Sequence, residues 1–136
     1  MQITREFSKY QIIPVTFAQA NVAASQTDVQ LKDATGGVEG VTMAFPGLIV
    51  GLTVDLSAAS TGGQLTVGVT INGTEVAATT QTITTATAAR AIFDRDAVKF
   101  AAGDKLGVEI TTNAGWTPET AELAVNVLAA LAVSGI

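Results

Sequence analysis

The chain has 136 residues, 7 basic and 12 acidic side chains, a formal charge of -5, and neither histidine nor cysteine. At this length one domain can bury its own core, while disulfides and thiolate zinc sites are excluded and the commonest metal ligand and neutral-pH general base are missing. An acidic chain without a basic cluster is also a poor match for nucleic acid, whose phosphates need grouped Lys and Arg.

Apolar residues make up 48% of the chain but aromatics only 5%. The apolar content is mostly Ala and Val, beside plentiful Thr and Gly. Such small and β-branched side chains suit closely packed strands. They also give a thin core, which leaves room for a partner surface. No apolar run reaches the roughly 18 residues of a membrane span. The nearest, "AELAVNVLAALAVSGI", is interrupted by Asn126. The start, "MQITREFSKY", has charges with no apolar stretch behind them, so no secretory leader is expected.

In chain order, "QIIPVTFAQANVAASQTDVQL" mixes polar and apolar residues without a sustained period. Pro14 is barred from a central strand position. Residues 1–39 are therefore predicted as an extended N-terminal arm with one or two short strands, apart from a sandwich domain at 40–136. "DATGGVEG", 33–40, is a loop.

From Val41 a period of two is clear. Val41, Met43 and Phe45 share one parity; Leu48, Val50, Leu52, Val54 and Leu56 share the other. A strand that keeps its apolar face inward cannot change parity. Pro46-Gly47, between the two sets, is expected to be a bulge, a bend or a turn between two strands. "SAASTGG", 57–63, is a loop. Leu65, Val67, Val69 and Ile71 then alternate up to Asn72-Gly73, the strongest short hairpin signal, because a type I′ turn needs positive φ at both central residues. The return strand is predicted over about 74–84. Asn72-Gly73-Thr74 also fits the N-glycosylation triplet but is read as a turn. Ile92, Val98 and Phe100 are expected in the core, with "AAGD", 101–104, as a tight turn. Leu106, Val108 and Ile110 alternate opposite Gly107, Glu109 and Thr111.

Two readings compete at the C-terminus. Thr117-Pro118-Glu119 resembles a helix start and Gly135 a cap. Against this, Leu123, Val125, Val127, Ala129, Leu131 and Val133 alternate strictly, and a helix here would be apolar around most of its circumference. A strand is predicted. Its other face, Glu122, Ala124, Asn126, Leu128, Ala130 and Ala132, is apolar beyond Asn126. A strand hidden on both sides lies between two layers or against another subunit. In so small a domain the subunit contact is simpler, so Leu128, Ala130 and Ala132 are the candidate interface. Strands at short spacing with turn signals between them predict an all-β, antiparallel, jelly-roll-like β-sandwich.

The candidate chemical sites are sparse. Asp94-Arg95-Asp96 offers two carboxylates, too few for calcium, which takes six or more oxygens; a solvated turn with a local ion pair fits better. Asp55 and Glu109 sit mid-strand on outward parities and are the only acid pair an enzyme could draw on. Gly36-Gly37 and Gly62-Gly63 match no phosphate loop. Trp116, alone in the loop "TNAGWTP", either anchors a partner or sugar or caps the sandwich. No catalytic residue, cofactor or metal site is expected.

The stretches "GLIVGLTVDLSAASTGGQLTVGVTINGTEV" and "VKFAAGDKLGVEITTNAGW", followed by an apolar final strand, resemble the head decoration (cement) proteins and jelly-roll head-fibre or tail-fibre modules of tailed bacteriophages. The likeness covers about 41–133 and rests on a "GLxV" strand, a "GGxLTVxVxxNG" hairpin and an "F-x-AGD-x-LxVxIT" strand pair. It implies a non-enzymatic virion protein, made in the host cytoplasm. It also implies a homotrimer held on the outer capsid surface by the major capsid protein, stabilising the head against DNA pressure. Pro14 and Phe17 in the arm, Pro46 and Trp116 are then the candidate capsid or partner contacts. The alternative is a receptor- or glycan-binding fibre module, with Trp116 and its loop carrying the site. Neither reading involves nucleic acid or a membrane.

Overall fold

The computed structural model describes residues 10–94 and 96–133. All strand pairings among them are antiparallel. The strands are β1 (Tyr10–Gln19), β2 (Val29–Gln30), β3 (Lys32–Asp33), β4 (Val41–Thr42), β5 (Gly47–Leu56), β6 (Leu65–Ile71), β7 (Thr74–Glu75), β8 (Gln81–Ile83), β9 (Ala88–Ile92), β10 (Lys99–Phe100), β11 (Lys105–Thr112) and β12 (Leu123–Ala132). The first sheet runs β10-β5-β12-β1-β3, with β9 also on β5. The second runs β2-β11-β6-β7, with β4 on β11 and β8 on β6. Together they make the expected jelly-roll-like sandwich.

Alternation decides what lies between the sheets. Leu123, Val125, Val127 and Ala129 from β12 meet Leu106, Val108 and Ile110 from β11 and Leu65, Val67 and Val69 from β6. The final segment is a strand, not a helix, and it is central in its sheet. With β5 on one side and β1 on the other, every backbone polar group along it has a neighbouring strand to pair with.

Residues 10–39 are not an arm set apart from the sandwich. β1 pairs with β12 from Tyr10↔Ala132 to Gln19↔Leu123, and β3 pairs with β1. β2 crosses to the second sheet and pairs with β11. Val15 and Phe17 point into the core. Pro14 is tolerated because β3 reaches only Phe17 and Ala18, so Pro14 lies where β1 is a sheet edge. Residues 1–9 of the expected arm lie outside the described residues.

The parity change is split between two places. Pro46-Gly47 is where the chain leaves β4 in the second sheet and enters β5 in the first. A second change occurs at Val50. There the β5–β12 register jumps from Leu128↔Gly51 to Ala129↔Ile49, and Val50 is the extra residue of a bulge. Leu52, Val54 and Leu56 therefore face the core, and so does Ile49, whereas Leu48 is turned to the other face.

The hairpin forms with positive φ at both Asn72 (53°) and Gly73 (85°). Its return strand is shorter than predicted. β7 has two residues, a 3-10 turn at Ala77–Thr79 follows, and β8 resumes pairing. The Thr79 hydroxyl fills the gap by accepting from the Val69 N–H at 2.9 Å. Ile92, expected in the core, is 83% exposed. Its pairing with Gly51 fixes it outward, and its neighbours Ala89 and Phe93 take the inward positions. Val98 and Phe100 are buried as expected.

Candidate functional site

Pairing registers bring the outward residues of the first sheet into transverse rows. One row is Ala88, Asp55, Ala124, Ala18. The next is Arg90, Thr53, Asn126, Thr16. Then come Ile92, Gly51, Leu128, Pro14, and after them Lys99, Leu48, Ala130, Ile12. The last two rows are apolar apart from the Lys99 ammonium. Ile92 is 83% and Ile12 61% exposed, and Pro14 is exposed as well. Leu48 and Ala130 are buried, yet neither belongs to the core between the sheets. They form the floor of a separate apolar layer on the outside of the sandwich.

Three side chains of the polar row are linked to one another. Thr16 donates its hydroxyl to the Asn126 side-chain oxygen. Asn126 donates its amide to the Thr53 hydroxyl at 3.4 Å. Gly51 lets the apolar row lie flat, since a Cβ there would meet the Leu128 Cδ1 at 3.2 Å. Leu128 thus leans over Gly51, at the middle of the face. Beyond Ala130 the face ends in a shallow cleft of about 270 Å³ bordered by Tyr10, Pro46, Leu48, Lys99, Phe100 and Ala132.

The predicted residues separate into two groups. Leu128, Ala130, Ala132, Pro14 and Pro46 all lie on this face or at its end, brought together from three segments distant in sequence. Phe17 and Trp116 do not. Both are 0% exposed. Phe17 has the inward parity of β1, opposite to Pro14. Trp116 fills the end of the core and donates its indole N–H to the Val22 carbonyl at 3.1 Å. Around it the 20–28 loop is bound to the far loop by Val22 N–H to the Ala121 carbonyl (3.0 Å) and the Thr112 hydroxyl to the Ala23 carbonyl (2.7 Å). Trp116 is a cap on the sandwich, and neither residue is open to a partner. Ile12 and Gly51 belong to the face but were not singled out from the sequence, and Leu48 and Ile92, also on it, were read with the core-facing residues. Period alone does not say which sheet or side a residue joins.

The acid pair does not exist. Asp55 faces outward from the first sheet and Glu109 outward from the second, so the whole sandwich separates them. Layers spaced at about 10 Å put two outward carboxylates farther apart still. Glu109 instead neighbours Glu75, whose side chain lies over Gly68 where a Cβ would come within 2.6 Å of Glu75 Cδ. Glu109 is 9% exposed. Its burial, a hydrogen bond shared with Glu75 and the nearby Asp28 charge raise its pKa, against the Gln30 amide donating at 3.1 Å. Among the described residues no group of three or more acidic side chains is placed to hold a metal ion. Asp94 and Asp96 are exposed, and Arg95 of that triplet lies outside the described residues. Gly36 and Gly63 are turn glycines with φ of 76° and 75°. At Gly63 a Cβ would sit 2.3 Å from the Trp116 backbone nitrogen.

No protein family matches the chain, and no curated protein does. Among solved structures, the cyanophage Pam1 capsid asymmetric unit is similar to it with a TM-score of 0.49 and 11% identity, over 90% of this chain and 86% of that one.

Proposed function

We propose that the protein is a structural, non-enzymatic component of a bacteriophage particle. In this reading it is a decoration or cement protein on the outer capsid surface, made in the host cytoplasm and engaging both the major capsid protein and copies of itself. The observation that carries this is the apolar outer face of the first sheet. Ile12, Pro14, Leu128 and Ile92 form a surface that water does not favour, and contiguous apolar patches of this kind mark protein contacts. The resemblance of the strand-and-turn motifs to phage decoration proteins points the same way and implies three copies per assembly. Symmetric repetition multiplies weak contacts of this sort into a firm hold. The fibre-module alternative loses its proposed anchor, since Trp116 is inside the sandwich.

The test is co-sedimentation of the purified protein with assembled shells of the encoding virus and, separately, with its free coat subunits. Retention on shells alone is expected. Failure to bind shells, or equal binding to free subunits, refutes the cement role.

A further inference from the structure

We propose that Asn72 is a site of spontaneous covalent change, converted to aspartate or isoaspartate by attack of the Gly73 main-chain nitrogen, and that the conversion unlatches the hairpin tip from the turn at 101–104. The inference concerns the second sheet and stands apart from the particle role proposed above.

The reaction needs an amide carbon beside an unhindered nitrogen. The Gly73 nitrogen gives its proton to hydroxide and bonds to the Asn72 Cγ. The Cγ–Nδ2 bond breaks, and Nδ2 leaves as ammonia. Water then opens the cyclic imide. Opening at the side-chain carbonyl leaves aspartate, and opening at the main-chain carbonyl leaves isoaspartate. Either product carries one more negative charge than the -5 of the chain.

Of the four asparagines, only Asn72 precedes a glycine. Asn21 and Asn126 precede Val22 and Val127, which are both fully buried, and the Val22 N–H is already donated to the Ala121 carbonyl at 3.0 Å. Asn113 precedes Ala114, and its side-chain oxygen is held by the Gln64 N–H at 3.1 Å. Asn72 and Gly73 are both exposed. A Cβ on Gly73 would meet nothing within 4 Å. Among the described residues the Gly73 N–H has no acceptor.

The same geometry sets the consequence. The Asn72 amide is gripped at both ends: Nδ2 donates to the Asp104 Oδ1 at 3.0 Å, and Oδ1 accepts from the Lys105 N–H at 3.0 Å. The Asn72 main-chain N–H adds a bond to the Lys105 carbonyl at 2.8 Å. Asp104 is itself fixed, since its other oxygen accepts from the Ala101 N–H at 2.8 Å. This latch keeps the Asn72 Cγ from turning onto the Gly73 nitrogen, so ring closure waits for the latch to open. After conversion an acceptor oxygen stands where the donor faced Asp104. Two carboxylates in that position repel, and the latch cannot re-form while both are ionised. The other charged groups bordering the adjoining cleft of about 300 Å³ are Lys105 and Glu39, one of each sign. Isoaspartate also lengthens the main chain inside a turn that requires positive φ at both of its positions.

The test holds the purified full chain in mildly alkaline buffer, counts acidic species by ion exchange and locates them by peptide mapping. Conversion at Asn72 is expected to exceed that at Asn21, Asn113 and Asn126 combined by at least about tenfold. Asp104→Ala, which removes the acceptor of the latch, is expected to speed conversion at Asn72 several-fold with the circular dichroism unchanged. Asn72→Asp, which reproduces the charge of the product, is expected to have a lower urea midpoint than wild type at neutral pH. The gap narrows as pH falls through the carboxylate range, because the protonated side chain of the variant donates to Asp104 as the amide did. Conversion spread evenly over the asparagines overturns the site. An Asn72→Asp chain as stable as wild type at neutral pH, or a folded Asp104→Ala chain that converts no faster, overturns the latch.

Discussion

Replacing Trp116 tests whether the residue is a cap or an exposed anchor. Its side chain is completely buried, and its indole N–H is donated to the Val22 carbonyl. Trp116→Ala removes the largest fully buried side chain, a change that costs about 3–5 kcal/mol in cores. Trp116→Phe keeps most of the volume but takes away the donor, leaving a buried acceptor short of its partner at about 1–3 kcal/mol. For 136 residues an unfolding entropy near 2.1 cal/mol/K per residue makes each kcal/mol worth about 3–4 °C. The alanine variant should thus melt ~10–17 °C below wild type and the phenylalanine variant ~3–10 °C below. The assay is urea and thermal unfolding followed by far-UV circular dichroism, since both variants lack the only tryptophan. A surface anchor would change stability by no more than about 0.5 kcal/mol. Either variant inside that margin refutes the packing argument.

Gly47→Ala should destabilise by about 1–3 kcal/mol, because the new Cβ would lie 2.3 Å from the Ala130 carbonyl oxygen and 2.7 Å from Phe100 Cζ. Gly37→Ala, with only the Thr35 hydroxyl at 3.5 Å, should leave the urea midpoint nearly unmoved. Glu109→Gln should raise stability at neutral pH. The folded-state pKa of Glu109 lies above its ordinary value of 4.5, so its ionisation opposes folding as pH rises through that range. The gain over wild type should vanish as pH falls below it, and a Gln variant less stable at pH 7 would contradict the assignment. Asp104 behaves in the opposite sense. The Ala101 N–H and the Asn72 amide hold its pKa below 3.8. Its contribution is present above that value and is lost as pH falls through the lowered pKa. In Asp104→Asn the fall of the urea midpoint on acidification should therefore be shallower than in wild type.

Regular alternation was the legible part of the fold. β6, β11 and β12 are readable because each carries three or more apolar residues two apart, and the Asn72-Gly73 turn is fixed by its demand for positive φ. β1 was obscured by Pro14 and by polar outward residues. An edge strand needs neither a full ladder nor a continuous apolar face. Leu48 was grouped with Leu52, Val54 and Leu56 but is turned to the other face, because one bulge residue, Val50, reverses the parity within β5. Trp116 stood between a partner anchor and a cap, because the sequence does not say whether a loop residue closes a core; its complete burial makes it the cap. Half of the outer apolar face was visible on β12 as a second apolar side. The other half depended on which strands flank it, and such pairing between distant segments leaves no local mark. Asp55 and Glu109 failed as a pair for the same reason.

The placement of β12 also governs how the chain can fold. This strand separates β1 from β5, and its Asn126 meets Thr16 from 110 positions earlier. Until the ribosome has released residue 132, β1 and β5 have no strand between them, and the first sheet stays incomplete. Topologies dominated by such distant pairings fold slowly, over milliseconds to seconds, with strand edges open to wrong partners meanwhile. Any cut or stall before Leu123 should leave a chain whose second sheet can assemble but whose first cannot, and which aggregates rather than waits. Closure of the first sheet thus waits on the last strand to be made, whatever the stability of the finished sandwich.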